Sequence, residues 1–535
     1  MKTKTYLLVL LLPFMFSCAG LLDTDPVDRL NPSNFWKTSK DANSALNALY
    51  KWLPNIGEIS NDGMTDIATY NFESASQVRI LCGEQTADMS YFLDKYRNLY
   101  KAIHDVNYFI ENVQLVLNND PLYTEDIMLN QIAQARVIRA ITYMQLVFLF
   151  GDVPLITKTL SLDESRKVVQ SDKEEIIDFI SKELTESSKY LKETYNDDPQ
   201  NIGHITKGAA LGMKARAMLY AGRYDEAAKA AKAVMDLGIY SLYPYFSKLF
   251  SYEAKNNSEV ILDYQYEKSL KSNSVFNSYA PKGMFGSNAL APNYNLIEIF
   301  ETLDGSSVDS YNPYKNRDPR LGYTVWLPSF SDEVKGDLLY NNVIFDSRPG
   351  SGTIDEVNVD FQRSKTGYAM KKYINPEDLS DRSNCGINYI ILRYADVLLM
   401  YAEAKIELNQ IDNSVYEAVN MVRNGREDVK MSSIPEGQTQ ETFREIIRAE
   451  RVKELALEGL RFWDIRRWKI AEDVIKGPIP GMKYIGVGDS SADGKIEQFI
   501  YGGIYRSFNP NRDYLYPIPK QELDLNSNLK QNPGY

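Results

Sequence analysis

The sequence predicts a mainly α protein in which TPR-like helix pairs form a scaffold, a long irregular segment interrupts it, and a little β is present. Three observations lead there. Apolar residues recur at i, i+3, i+4 and i+7 within residues 40–238 and again within 390–470. Two stretches each read as a helix–turn–helix of about 34 residues. Between them, from 240 to 388, the periodicity largely disappears and Asn, Ser, Gly and Pro punctuate the chain.

The elements follow in order. Lys2 and Lys4 precede an apolar run from Tyr6 to Phe16, long enough for a signal-peptide core but short of the roughly 20 residues that cross a bilayer. Ser17 then stands before Cys18, with Met15 where such boxes usually carry Leu. The reading is a lipoprotein signal peptide over 1–17, lipidation at Cys18, and a leader over 18–38 with Asp23 and Asp25. No later stretch approaches spanning length in this reading. Ala42, Ala45, Leu46, Leu49 and Leu53 mark a first helix. Tyr96, Leu99, Ile103, Val106, Ile110 and Val113 mark a second, and "DIMLNQIAQARVIRAITYMQLVFLFG" a third that Gly151 stops. A fourth, carrying Ile176, Ile177, Ile180, Leu184 and Leu191, opens with Ser171 and Glu174 at capping-box spacing.

The clearest repeat signal is "TKGAALGMKARAMLYAGRYDEAAKAAKAVMDLG", where Gly222 separates a face of Leu211, Ala215 and Met218 from one of Ala227, Ala230, Ala231 and Val234. Its alanines and Gly212 favour close helix approach. "RYADVLLMYAEAKIELNQIDNSVYEAVNMVRNGR" gives a second pair. One repeat cannot bury its own face, so the helices must stack. In the segment 240–388, "EVILDYQY" predicts a short strand, and aromatics are denser there than their 12% share of the whole chain. Such an excursion from a rigid scaffold is where binding residues gather, so 240–388 is read as the ligand-facing segment. Near the end, Thr442 and Glu445 suggest another capped helix. The segment 471–535 is read as a polar loop and a closing tail.

Composition narrows the function. A net charge of -12 disfavours a nucleic-acid partner, which needs a basic face, and adhesion to anionic lipid by charge alone. Beyond Cys18 only Cys82 and Cys385 remain, so no disulfide framework stabilises the fold and free thiols are expected. His104 and His204 stand alone, without zinc spacing. Walker, dinucleotide and nucleophile-elbow patterns do not occur, so no cofactor, metal or catalytic residue is expected. "DGSSVD" (304–309) lacks the ligand order of a calcium loop. Glu441, Glu445 and Glu450 each precede Arg444, Arg448 or Lys453 by three, which reads as ion pairing on a helix surface.

Aromatics offer the remaining chemistry. A Tyr or Trp plane can cover the apolar C–H face of a sugar ring while Asn, Asp, Gln or Arg bonds its hydroxyls, each platform giving about 1–2 kcal/mol after ordering costs. The candidates are Asp66, Tyr70 and Phe72 in "TDIATYNFES", Tyr91 in "DMSYF", Tyr279 and Phe285 in "NSYAPKGMF", Tyr294 in "APNYN" and Trp326 in "GYTVWLPS".

In order along the chain, Cys18 with "LLDTDP", "FWKTSKDANSALNALY", "YKNRDPRLG", "RYADVLLMYAEAKIELN", "ERVKELALEGLRFWDIRRW" and the closing "YLYPIP…NSNLKQNPGY" resemble the SusD/RagB-like outer-membrane nutrient-binding lipoproteins of Bacteroidetes. The resemblance implies a TPR scaffold facing a SusC-like TonB-dependent transporter, and loops that capture oligosaccharide, or in some branches peptide, without catalysis at the cell exterior. Only Cys18 transfers by motif, because the matched blocks are structural. The alternatives are a peptide-binding member, a surface glycoside hydrolase, and a scaffold that binds only protein.

Overall fold

The computed structural model describes residues 35–535 except 196, 358, 360–362 and 491–493. The signal peptide, Cys18 and the leader up to residue 34 lie outside the described residues.

The predicted helices form, with ends set by local chemistry. α1 (Ser39–Leu49) starts at a capping box between Thr38 and Asp41 and buries Ala42, Leu46 and Leu49; Leu53 lies beyond it, past a 3-10 turn, and is still buried. α2 spans Ser90–Asn112 and α3 spans Glu125–Phe150, where Gly151 closes the helix at φ 73°. By length and composition α3 could cross a bilayer, contrary to the expectation that no later stretch approaches that length. Its most apolar window is 83% buried inside the protein, which makes it a core helix. α4 (Lys173–Ser187) is capped by Asp172, which accepts from the Glu174 N–H. Ser171 is instead bonded to Val153, so the expected Ser171 capping box does not form.

α5 (Lys207–Tyr220) and α6 (Tyr224–Met235) are the first predicted pair, separated by Gly222 at φ 74°. α7 (Tyr394–Glu407) and α8 (Asn413–Asn424) are the second. α9 (Gln440–Leu455) takes its cap from Thr439, three residues ahead of the expected Thr442, and is followed by α10 (Arg461–Arg467). The helices stack in series: α2 on α3, α3 on α4, and so through α6 to α7, which carries α8 and α9. At Gly212 the close contact is with a strand. An added Cβ would lie 2.4 Å from Leu392, against 3.8 Å from Val234 of α6.

Among the described residues the strands form four antiparallel pairs: β1 (Ala68–Tyr70) with β3 (Leu290–Pro292), β2 (Val260–Tyr264) with β6 (Tyr389–Arg393), β4 (Val325–Trp326) with β5 (Ala369–Met370), and β7 (Gly477–Ile485) with β8 (Ile496–Arg506). β2 falls where "EVILDYQY" predicts it. The last pair occupies the expected polar loop. Two prolines and two glycines in β7 hide its alternation, and irregularities after Pro478 and Pro480 absorb them.

Charge fastens the irregular segment to the helices. Arg320, Lys372, Arg393, Arg423, Arg426 and Lys453 meet Glu259, Glu301, Asp318, Glu450, Glu454 and Glu458 in one network around α9. Arg320 reaches Glu450 at 2.7 Å and Glu454 at 2.9 Å, and Arg393 reaches Glu454 at 2.6 Å. A second group joins Arg216, Arg451 and Arg467 to Asp396, Glu403 and Asp464. This corrects the surface reading of α9. Glu450 and Lys453 do pair, at 3.1 Å, but inside the protein, while Arg444 and Arg448 turn to Glu407 of α7.

Candidate ligand-binding face

Away from the helix stack, three distant segments are stitched together by one amide. Asn71 follows β1; its N–H donates to the Ala289 carbonyl at 2.9 Å, continuing the β1–β3 ladder in which Tyr70 faces Leu290. Its side-chain Nδ2 donates to the carbonyls of Asn288 and Arg363, and its Oδ1 accepts from the Lys365 N–H at 3.3 Å. Asn71 is 1% exposed, so these bonds fix the loops around it.

Tyr70 and Phe72 flank that amide, half-buried, with ring centroids 5.8 Å apart. The exposed Glu73 accepts from the Tyr501 hydroxyl on β8, and the Lys365 ammonium lies 5.0 Å from the centre of the Tyr501 ring. Across the Asn288 contact, the loop 281–289 presents Phe285 at 61% exposure. Phe285 has φ 62° because it closes the turn Lys282–Met284, with Gly286 N–H bonded to Pro281 O at 3.1 Å. A bulky residue in the left-handed region costs about 1–2 kcal/mol, and this ring recovers little by packing. Asn288 is itself buried at φ 41°, and among the described residues its Oδ1 has no hydrogen-bond partner. A strained, exposed ring beside an unsatisfied buried acceptor is the kind of feature that marks a ligand surface.

The sequence candidates divide. Tyr70 at the end of β1, and Phe72 and Phe285 on the loops beyond, lie on segments tied by Asn71. Asp66, expected at a rim, is 5% exposed and forms a two-pronged pair with Arg461 at 2.9 and 2.8 Å, while its carbonyl accepts from Asn293 and Asn295. Tyr279 is 6% exposed and Trp326 is 2% exposed, so neither presents the open plane expected of it. Trp326 is covered edge-on by Tyr340 at 5.2 Å and by the Lys371 ammonium at 4.3 Å. Tyr91, at the start of α2, packs against Tyr516, and burial pushes its hydroxyl up to about 12. Tyr294 is half-buried under Lys483 of β7, 4.4 Å away. Asn71, Asn288, Lys365 and Tyr501 were not among the candidates. Asn71 lies inside "TDIATYNFES", but nothing in the sequence signals that residues some two to four hundred positions away converge on it.

Among the described residues no three His, Cys, Asp or Glu side chains could hold a metal, and Asp304 and Asp309 bond to their own turns. Cys82 and Cys385 are free. His204 stacks on Tyr50 at 5.3 Å and contacts Asn47.

This arrangement of stacked helices with short antiparallel strands is shared with solved SusD-like structures. The chain belongs to the SusD family: the model described as SusD family matches residues 250–535, and one described as "Starch-binding associating with outer membrane" matches 27–219. It is similar to SusD-like protein P25 of Formosa agariphila, with 25% identity over 567 residues covering 100% of both chains. Among solved structures it is similar to a SusD-like carbohydrate binding protein from Bacteroides fragilis, at 28% identity and a TM-score of 0.84, covering 93% of this chain and 100% of that one. A second SusD-like protein from Bacteroides fragilis gives 26% identity and a TM-score of 0.80, covering 96% and 100%.

Proposed function

We propose that this protein is a cell-surface lipoprotein, anchored in the outer membrane through Cys18, that binds oligosaccharide or polysaccharide without cleaving it and passes it to a SusC-like TonB-dependent transporter. The observation that carries the reading is the face around Asn71, with the rings of Tyr70, Phe72 and Phe285 set beside buried amides in a chain of the SusD family. The description of the matched amino-terminal family and the carbohydrate-binding relative support both ligand class and location.

Three aromatic platforms give about 4 kcal/mol, which corresponds to dissociation constants near millimolar. Affinity of that order suits capture followed by release to a transporter. Both carboxylates of the segment 65–75 that carries Tyr70 and Phe72 are engaged: Glu73 accepts from Tyr501, and Asp66 is locked to Arg461. The chain without residues 1–18, titrated calorimetrically against plant, host and microbial glycans, should give saturable heat while the glycan stays intact. Cleavage products would contradict the non-catalytic reading. Gentle membrane extraction of the full chain should bring a large β-barrel protein with it, and its absence would contradict the partnership.

A further inference from the structure

Inside the fold, cations and anions are matched one for one around α9; the candidate face is not matched. Lys365 is 7% exposed, with its ammonium over Tyr501. Lys483 lies over Tyr294, and the Arg382 guanidinium lies 5.3 Å from the centre of the Phe285 ring. Among the described residues, none of these three cations has a carboxylate within 4.0 Å. Lys371, by contrast, has Asp337 at 3.9 Å. Nearby acids are otherwise occupied: Glu73 accepts from Tyr501, Glu497 from the Tyr484 hydroxyl at 2.8 Å, and buried Asp355 from the Gly283 N–H at 2.8 Å.

A ring face holds a cation more weakly than a carboxylate does, and a lysine side chain nine-tenths buried without a counter-ion is costly to maintain. Among the described residues, cations over rings without a carboxylate within 4.0 Å occur elsewhere too, as at Lys469 over Tyr514 and Lys271 over Tyr264, but Lys365, Lys483 and Arg382 bring three of them to the rings of Tyr501, Tyr294 and Phe285 in a chain of net charge -12. The cations also cover one side of Tyr501, Tyr294 and Phe285. The open side of Phe285, 61% exposed, is left for stacking on a sugar beside Tyr70.

We propose that the glycan taken by this face is anionic, with carboxylate or sulfate groups that pair with Lys365, Lys483 and Arg382. This rests on the glycan-binding reading above and narrows it. The test is calorimetry of the chain without residues 1–18 against four probes: oligogalacturonate and its methyl ester, and a sulfated galactan and its desulfated form. At least one charged probe should bind at least tenfold tighter than its neutral counterpart, and the affinity should fall as salt rises from 0.05 to 0.5 M. Lys365→Met and Lys483→Met should each weaken that binding about tenfold with melting unchanged; Lys483, being half-buried, keeps the test decisive if the first variant is unstable. Retention of the sulfated probe alone would assign sulfate, and of the uronate alone, carboxylate. Equal, salt-independent binding of charged and neutral forms, lost in Tyr70→Ala but not in Lys365→Met, would overturn the charge inference and leave the glycan site standing. Binding of neutral glycans of other backbones only would do the same. Binding of acidic peptide in place of any saccharide would overturn the glycan reading itself.

Discussion

Phe285 and Trp326 are both aromatic residues in irregular chain, and their surroundings assign them opposite work. Phe285 stands 61% exposed on a strained turn, whereas Trp326 is 2% exposed under Tyr340 and Lys371. Phe285→Ala should therefore weaken glycan binding about tenfold and leave thermal unfolding unchanged. Trp326→Ala should destabilise by about 3–5 kcal/mol, the usual cost of deleting a buried large ring, without a specific effect on binding by the folded fraction. Denaturant titration alongside calorimetry separates the two. Asp62 makes a different prediction. It is buried, one oxygen accepts from the Gly459 N–H, and burial with the nearby Glu458 charge pushes its carboxyl up to about 7. The folded state thus keeps a proton that the unfolded state releases near the ordinary carboxylate value. Stability from this group is greatest below about pH 4, declines as pH rises to about 7, and is level above. Asp62→Asn should flatten that decline in urea titrations at pH 4.5 and 8; an unchanged slope would contradict the assignment.

At the scale of elements, α9 holds the assembly together. Glu454 alone meets Arg320, Arg393 and Arg426, which come from the irregular segment, the end of β6 and the chain after α8. Glu454→Ala removes the carboxylate that these three buried cations share, leaving them to Asp318, Glu450, Glu259 and Glu458, and should cost about 3–5 kcal/mol. Glu450, Glu454 and Asp396 are held below the ordinary carboxylate range even though burial opposes it, because the cations around them outweigh the burial; Asp396 is lowered to about 2. Their contribution is present above the ordinary carboxylate pKa and is lost as pH falls through the folded value, so Glu454→Ala should lose less stability than the parent between pH 4 and pH 2. The helices were legible in the sequence because amphipathic spacing records burial directly, as Ile176, Ile177, Ile180 and Leu184 do on α4. Caps were legible only to within a turn. Thr439 and Asp172 compete with neighbours of equal capping ability, and tertiary partners decide: Ser171 is taken by Val153. The β7–β8 pair was hidden by its prolines, and the burial of α9's acids was hidden because a Glu three residues before a Lys reads alike on a wet or a dry face.

For the whole molecule, the network means that the irregular segment and the helix stack lose their fixed geometry together. A calorimetric melt of the chain without residues 1–18 should show one main transition; two separated transitions with a binding-competent intermediate would contradict that coupling. The candidate face was legible in part. Tyr70, Phe72 and Phe285 could be named from local composition, because aromatic and polar residues in irregular chain are visible one segment at a time. Asn71, Asn288, Lys365 and Tyr501 could not, since their meaning comes from a convergence that only the fold creates. Asp66, Tyr279 and Trp326 had the same local signature and are buried, which is the limit of reading exposure from residue type.

The central claim is capture without cleavage at this face, and a single comparative titration addresses it most directly. The chain without residues 1–18 and its Tyr70→Ala/Phe285→Ala variant are titrated with a glycan panel, and the mixtures are then analysed for products. The account predicts saturable heat with the parent, at least a tenfold loss of affinity in a variant that melts at the same temperature, and glycan recovered intact. Equal affinity in parent and variant, or product formation by either, would contradict it.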